Sequence, residues 1–395
     1  MRLTHLTPPA FCFLKANKKM FVAGRFSEEW VTWLKKDIIW EGIVMSNTMK
    51  ALVYGGPDKI AIQDVPVPKI IEPDDAIVRV TTSTICGTDI HIWHGGMPEV
   101  APGRIIGHEF VGEVVEVGPA VRNNKVGDKV AVSCVTQCGE CFYCVRGIYS
   151  HCTTGSWIFG YMIDGCQAEY VRVPHANLGM FTIPDGLTEE DVLFVGDILS
   201  TGYFGAENAK IEPGDTVAVM GCGPVGMCGM TTARLWGPSK IIAVDINQER
   251  LDFAVKQGIA DVGVNPLNCN AVEVIRDMTD GRGADRTIEA NGFKATYDMA
   301  IDAVRAGGNV SFIGVFEKPQ ELAMNTLWIK NISISMGLLN ANRIPELIKL
   351  IQAGKIDTNF LITHRAPLND IVKGYDIFGG KKEGCLKWIV TPYQK

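Results

Sequence analysis

From Met49 onward the hydrophobic positions first come in short runs broken by proline and glycine. The alternation predicts strands over Lys50–Tyr54, Ile60–Val65 and Ala76–Thr84, punctuated by Pro57, Pro66, Pro68 and Pro73, then over Phe110–Val117 and Val130–Ser133. Such a series reads as a compact, barrel-like β-rich unit. After about Asp191 the rhythm changes to apolar strand-length runs alternating with helical periodicity. Strands are predicted at Thr216–Met220, Lys240–Val244, Asp261–Val264, Asp285–Glu289, Asn309–Ile313 and Ile332–Met336. Helices are predicted at Val225–Trp236, Gln248–Gln257, Ala271–Met278 and Lys294–Val304. Strands joined by helical crossovers describe an α/β, doubly wound parallel sheet. The pattern therefore divides the chain into a β-rich unit at residues 49–198 and 342–395, a doubly wound unit at residues 199–341, and an extension at residues 1–48.

Composition narrows the class without changing this division. A chain of 395 residues is long enough for two cores, and 47% hydrophobic with 21% charged residues is ordinary for a globular protein. No apolar run approaches the roughly 20 residues of a bilayer span, so no membrane partner is expected. A net charge of −6 argues against a nucleic-acid partner. Of the 12 cysteines, Cys134, Cys138, Cys141, Cys144 and Cys152 crowd into one stretch. That clustering favours metal binding in a reducing compartment over scattered disulfides, and so a cytoplasmic location.

The extension carries Arg2, Lys15, Lys18, Lys19 and Arg25, but also Glu28, Glu29, Asp37 and Glu41, which are unwelcome in a transit peptide. Trp40-Glu41-Gly42 must be coded UGG-GAR-GGN, which can spell a purine-rich bacterial ribosome-binding site upstream of Met45. We expect translation to begin at Met45 or Met49, leaving the extension untranslated or disordered; a targeting or docking segment is the alternative.

The strand at Thr216–Met220 runs into Gly221-Cys222-Gly223-Pro224-Val225-Gly226. A lone G-x-G-x-x-G is a weak signal. Here it follows a strand, opens a helix, and is followed about 20 residues later by Asp245 at the end of the next strand, which is the dinucleotide fingerprint. Gly221 permits the turn, Gly223 lets the backbone approach a pyrophosphate, and Gly226 allows close helix–strand packing, while Pro224 and Val225 begin the helix that faces the phosphates. Asp245 suits ribose hydroxyls and repels a 2′-phosphate, favouring NAD over NADP; the alternative is a simple cap on the next helix.

Cys138, Cys141, Cys144 and Cys152 form C-x2-C-x2-C-x7-C, four thiolates able to close around one structural Zn²⁺. An iron–sulfur cluster or disulfides are the alternatives. A second set is dispersed: Cys86 in Cys86-Gly-Thr88-Asp-Ile-His91, His108 in Gly107-His108-Glu109, and Asp197 before Ile198-Leu199. Three ligands of mixed type leave a position open, the catalytic arrangement, but spacing alone does not join them.

These motifs, in this order, resemble the zinc-dependent alcohol dehydrogenases of the medium-chain dehydrogenase/reductase superfamily, over essentially the whole chain except the extension. The resemblance implies a β-rich catalytic domain with a Rossmann domain, one catalytic and one structural zinc per subunit, and NAD as cofactor. It implies that Cys86, His108 and Asp197 bind catalytic zinc, with Glu109 behind the metal as a neighbour or transient ligand. Thr88 and His91 would relay the alcohol's proton by way of the cofactor ribose, Thr201 would pack against the nicotinamide, Arg250 would reach the adenosine ribose, and Lys387 the pyrophosphate. Many family members carry cysteine where this chain has Asp197; a subgroup of bacterial alcohol dehydrogenases and glutathione-independent formaldehyde dehydrogenases carries aspartate. The long cofactor-covering insertion of the formaldehyde enzymes is not evident. A small alcohol and its aldehyde or ketone are the implied substrates, with primary, secondary and polyol classes open, and a homotetramer is expected with a dimer as the alternative. A zinc-independent quinone-type reductase and a vestigial scaffold are the competing functions.

Overall fold

The computed structural model describes residues 47–393, so the expectations for the extension up to Ser46 lie outside the described residues. Residue 48 belongs to the fold, since the first strand begins there. The N-terminal strands are β1 (Thr48–Gly56), β2 (Lys59–Pro66) and β3 (Ala76–Thr84). Then come β4 (Phe110–Val117), β5 (Lys129–Val132), β6 (Val135–Thr136), β7 (Ser156–Trp157), β8 (Tyr170–Val173) and β9 (Met180–Thr182). The hairpin β1–β2 is antiparallel and bridges to the rest at Ala51–Ala168 and Val53–Ile105.

The six strands expected after Asp191 are all present: β10 (Thr216–Met220), β11 (Lys240–Val244), β12 (Val262–Val264), β13 (Ala284–Glu289), β14 (Val304–Phe312) and β15 (Ser333–Met336). They form one parallel sheet in the order β12-β11-β10-β13-β14-β15. Chain order reverses beside β10, so its carboxyl end is the crevice where doubly wound sheets take ligands. Val217–Met220 are fully buried, as expected of a strand covered on both faces. One boundary differs from expectation. β14 begins at Val304, paired with Ala284, rather than at Asn309, and the register shifts before Arg286–Asn309.

The chain then returns to the first sheet. β16 (Ile362–Pro367) pairs with β17 (Lys387–Thr391), and β17 pairs with β3, giving the order β16-β17-β3-β4-β5-β9 with β8 also on β3. The helices that matter for the site are α1 (Gly87–Trp93), α2 (Ile198–Asn208) and α3 (Pro224–Ala233). Helix α2 begins among the β-rich elements and runs against α3, the helix of the glycine loop, so one rigid element spans both halves of the cleft. No helix among the described residues is long and apolar enough to cross a membrane.

Candidate active site

Cys86 caps α1 at the end of β3, His108 lies just ahead of β4, and Asp197 caps α2. The fold brings these three distant positions together. Asp197 Oδ2 is 3.5 Å from Cys86 Sγ and 3.2 Å from His108 Nε2, and all three residues are buried. Their three ligand atoms lie within 4.8 Å of one another.

Each side chain is held from behind. Asp89, three residues after Cys86, is fully buried; its Oδ1 lies 3.2 Å from His108 Nδ1, and its Oδ2 accepts from the Cys86 N–H at 2.9 Å and Gln167 Nε2 at 3.1 Å. Tyr375 donates to Gln167 Oε1 at 2.7 Å. This chain of contacts leaves His108 Nε2 facing Asp197, the arrangement that orients metal-binding histidines. The other oxygen of Asp197 has its own partners: Oδ1 accepts from Thr201 Oγ1 at 3.4 Å and from Cys134 Sγ at 3.7 Å. Asp89, Gln167, Tyr375 and this use of Cys134 were not assigned from the sequence. Only Asp89 carried a local signal, as the N3 residue of a capping box.

The electrostatics fit a cation. Burial and the carboxylate of Asp197 push the Cys86 thiol up. Burial works against a charged His108, but Asp89 and Asp197 overcome it and raise the imidazole well above its usual value. Burial likewise opposes the Asp197 carboxylate, and His108 pulls its pKa down. A thiol, an imidazole and a carboxylate packed at one dry point suit a divalent metal that takes mixed S, N and O ligands.

Cys138, Cys141, Cys144 and Cys152 form a second group whose sulfurs lie within 4.8 Å of one another. Every one is free of disulfides. Backbone amides point at the sulfurs: the Cys138 N–H is 3.2 Å from Cys152 Sγ and the Cys141 N–H is 3.4 Å from Cys138 Sγ. Backbone N–H groups, that of Cys144 foremost, lower the Cys141 thiol to about 5, whereas burial raises Cys144 to about 12. Four thiols gathered with amide support and no S–S bond fit a closed tetrahedral zinc site. Cys134 is not part of this group; it sits against Asp197.

Between the two sheets lies a cavity of about 630 Å³, reached by Cys86, His91, Gly223, Arg250, Glu317 and Lys387. The glycine loop forms its floor at the N-terminus of α3, where Pro224 occupies the first turn. Gly221 has φ +104°, and a Cβ on Gly226 would stand 1.9 Å from the Gly221 carbonyl oxygen, so neither tolerates a side chain. Asp245 follows β11 and accepts from the Cys222 N–H at 2.7 Å and the Asn247 N–H at 2.8 Å. Arg250 reaches over the loop, with Nη1 3.7 Å from where a Gly223 Cβ would be. Thr88 Oγ1 is 3.9 Å from Cys86 Sγ, and His91 Nδ1 is 2.6 Å from Glu317 Oε1.

Lys387 departs from expectation. Its ammonium is buried, 2.5 Å from Glu109 Oε2 and 2.9 Å from the Ile85 carbonyl, rather than free over the cavity. A buried ammonium needs an anion, and Glu109, also fully buried, supplies it. Burial lifts Glu109 to about 7 against the pull of Lys387, and Glu109 in turn keeps Lys387 charged against its own burial. The other Glu109 oxygen accepts from the Ile198 N–H at 3.4 Å, tying it to the start of α2.

Comparison with known proteins shows the family. Residues 72–185 match the alcohol dehydrogenase GroES-like domain and residues 224–353 match the zinc-binding dehydrogenase family. An alcohol dehydrogenase of Cupriavidus necator is 40% identical over 374 residues, covering 88% of this chain and all of that protein. The solved zinc-dependent alcohol dehydrogenase 2 of Streptococcus pneumonia superposes with a TM-score of 0.84 at 42% identity, over 88% of this chain and 99% of the other. Alcohol dehydrogenase from Thermus sp. ATN1 gives 0.81 at 37% identity, over 87% and 99%. The chain belongs to the zinc-dependent alcohol dehydrogenases of the medium-chain dehydrogenase/reductase superfamily, and it is an NAD-linked enzyme that moves a hydride between a small alcohol and its carbonyl form.

Proposed function

We propose that Cys86, His108 and Asp197 hold the catalytic zinc, that Cys138, Cys141, Cys144 and Cys152 hold a structural zinc, and that the alcohol enters beside the first site. The observation that carries this is the convergence of a thiol, an imidazole and a carboxylate from three distant segments at the edge of the glycine-loop cavity. Bound zinc supplies the Lewis acidity that makes an alcohol's proton easy to remove, and bound NAD supplies the hydride acceptor. The protein's part is to hold, orient and conduct. Asp89 fixes the tautomer of His108; Glu109, neutralised by Lys387, waits behind the metal ligands. Thr88 accepts the alcohol's proton, and His91 passes it from the cavity to solvent. Gly221, Gly223, Pro224, Val225 and Gly226 receive the pyrophosphate, Asp245 and Arg250 the adenosine ribose, and Thr201 borders the nicotinamide. Asp245 carries the preference for NAD over NADP. On this reading residues 49–198 and 342–395 form the catalytic domain, and residues 199–341 the cofactor domain.

Trp157 favours an apolar substrate over a polyol. Its ring stands edge-on to His108 at 5.7 Å, stacks on Tyr161 at 5.1 Å, and packs with Cys134 and Leu339. A homotetramer, with a dimer as the alternative, is supported by β15, the outer strand of its sheet, and by Trp328, Ile329 and Met336, each at least 67% exposed. The cysteine usage supports a cytoplasmic location. Zinc analysis alongside NAD reduction on a panel of simple alcohols and polyols tests the whole: two zincs per chain and higher kcat/KM for apolar alcohols are expected. One zinc, or a preference for polyols, would overturn the corresponding part.

A further inference from the structure

The relay proposed above ends on His91, and the structure supplies that imidazole with a partner to which no sequence motif points. His91 lies in the last turn of α1, and its Nδ1 is 2.6 Å from Glu317 Oε1. Glu317 comes from the segment after β14, on the nucleotide side of the cleft, so the contact bridges the two walls of the cavity that both residues line. With side chains 36% and 58% exposed, the pair contributes little to stability. Its consequence is orientational.

A neutral imidazole carries one N–H, and the partner of one nitrogen decides where that proton sits. A carboxylate only accepts, so Glu317 requires the proton on Nδ1 and leaves the lone pair of Nε2 available. Free histidine in water prefers the opposite tautomer, so the preference has to be imposed. Among the described residues lining the cavity Glu317 is the only carboxylate; the other charged groups there, Arg250, Lys294, Lys318, Lys381 and Lys387, are cations and cannot accept from Nδ1. The neighbouring His94 is occupied by Asp58, at 2.6 Å.

We propose that Glu317 is a positioning residue for the proton relay: seated on His91, it fixes the Nδ1–H tautomer and leaves Nε2 as the proton acceptor. The proposal rests on the relay reading of His91. In each turnover Nε2 takes one proton and returns it to water, Nδ1 stays bonded to Glu317, and Glu317 remains a carboxylate. Because donor and acceptor come from opposite walls, the acceptor is correctly presented only when the segment carrying Glu317 is in place.

The test reads the tautomer directly in the zinc-loaded protein without cofactor. The chain has 7 histidines, so ¹⁵N-histidine labelling with long-range ¹H–¹⁵N correlation gives a small set of signals, with His91→Asn assigning the one of interest. Wild type and Glu317→Gln, whose amide oxygen still accepts, should show His91 as Nδ1–H. Glu317→Ala should convert it to Nε2–H. In turnover, Glu317→Ala should lower kcat about 10-fold, less than the roughly 100- to 10,000-fold that a general acid or base itself contributes, because Glu317 orients the acceptor and does not take the proton, with KM for NAD changed less than about 2-fold and with Gln restoring most of the rate. An Nε2–H tautomer in wild type, or no change in Glu317→Ala, overturns the positioning role whatever the rates show. A tautomer that switches while kcat is unmoved in both Glu317→Ala and His91→Asn overturns the relay itself, and the positioning role with it.

Discussion

Lys387→Met discriminates between two uses of one cation. If the ammonium serves the cofactor pyrophosphate, the substitution weakens NAD binding and costs little stability. If it serves Glu109, the reverse holds. The geometry favours the second: the two charges are 2.5 Å apart, with side chains 1% and 0% exposed. At an effective dielectric of about 20, attraction at that distance is about 6–7 kcal/mol, but desolvating each ion costs several kcal/mol, so the net contribution of the intact pair is small. Removing one partner is different. Glu109 would keep only the 3.4 Å bond from the Ile198 N–H, and an uncompensated buried charge typically costs about 3–5 kcal/mol. Urea unfolding of zinc-loaded protein, followed by tryptophan fluorescence at fixed protein concentration, should show a loss of that size. Lys387→Met with Glu109→Gln should recover at least about 2 kcal/mol of it, the coupling expected of residues in direct contact. The Kd for NAD, from fluorescence quenching, should change less than about 3-fold, under about 0.7 kcal/mol. A stability loss below about 1 kcal/mol together with a 10-fold or larger rise in Kd, about 1.4 kcal/mol, would refute the reasoning and return Lys387 to the pyrophosphate.

Three further outcomes are expected. Asp197→Ala should leave the fold and NAD binding largely intact while zinc analysis falls toward one per chain and turnover drops at least about 100-fold, as for loss of a group that acts in the transition state; full zinc occupancy with full activity would contradict the ligand assignment. Cys141→Ser should lose the other zinc and lower the thermal midpoint, with kcat per active molecule changing far less than in Asp197→Ala; unchanged zinc stoichiometry would count against a structural site. Asp245→Gly should erase much of the preference for NAD, because hydrogen bonds to charged groups contribute roughly 1.5–3 kcal/mol, and comparison of kcat/KM for NAD and NADP would expose a wild-type preference for NADP if the assignment is wrong.

The parts legible in the sequence are those whose physics is local. Strands buried on both faces are continuous apolar runs, so five of the six strands of the parallel sheet were placed within a residue or two of their ends, and a glycine loop between strand and helix identifies itself. The start of β14 escaped because Val304 pairs with Ala284 across a register shift that hydrophobic periodicity does not encode. At the site, the four-cysteine spacing was readable because one short segment supplies all the ligands. The dispersed triad needed family resemblance to join Cys86 to Asp197, 111 residues away. The ion pair of Lys387 was not legible for a related reason: its partner Glu109 is 278 residues distant, and a lone cation near the end of a chain carries no sign of what it neutralises.

Aspartate at position 197 also imposes a requirement that cysteine at the same place would not. A thiolate offers one ligand atom. A carboxylate offers two oxygens, and a buried second oxygen without a donor is costly. Here Oδ2 faces Cys86 and His108, while Oδ1 is given to Thr201 and Cys134. On the proposed ligand assignment, the division keeps the carboxylate presenting a single oxygen toward Cys86 and His108. It also accounts for a cysteine that stands beside the four-cysteine lobe in sequence yet does not join it. Cys134, buried and pushed well above the usual thiol range first by burial and then by Asp197, remains a protonated S–H donor. On the proposed ligand assignment, the aspartate at position 197 and the thiol at position 134 are thus parts of one arrangement, and Cys134→Ala is where its cost should appear as weaker zinc retention at the catalytic site.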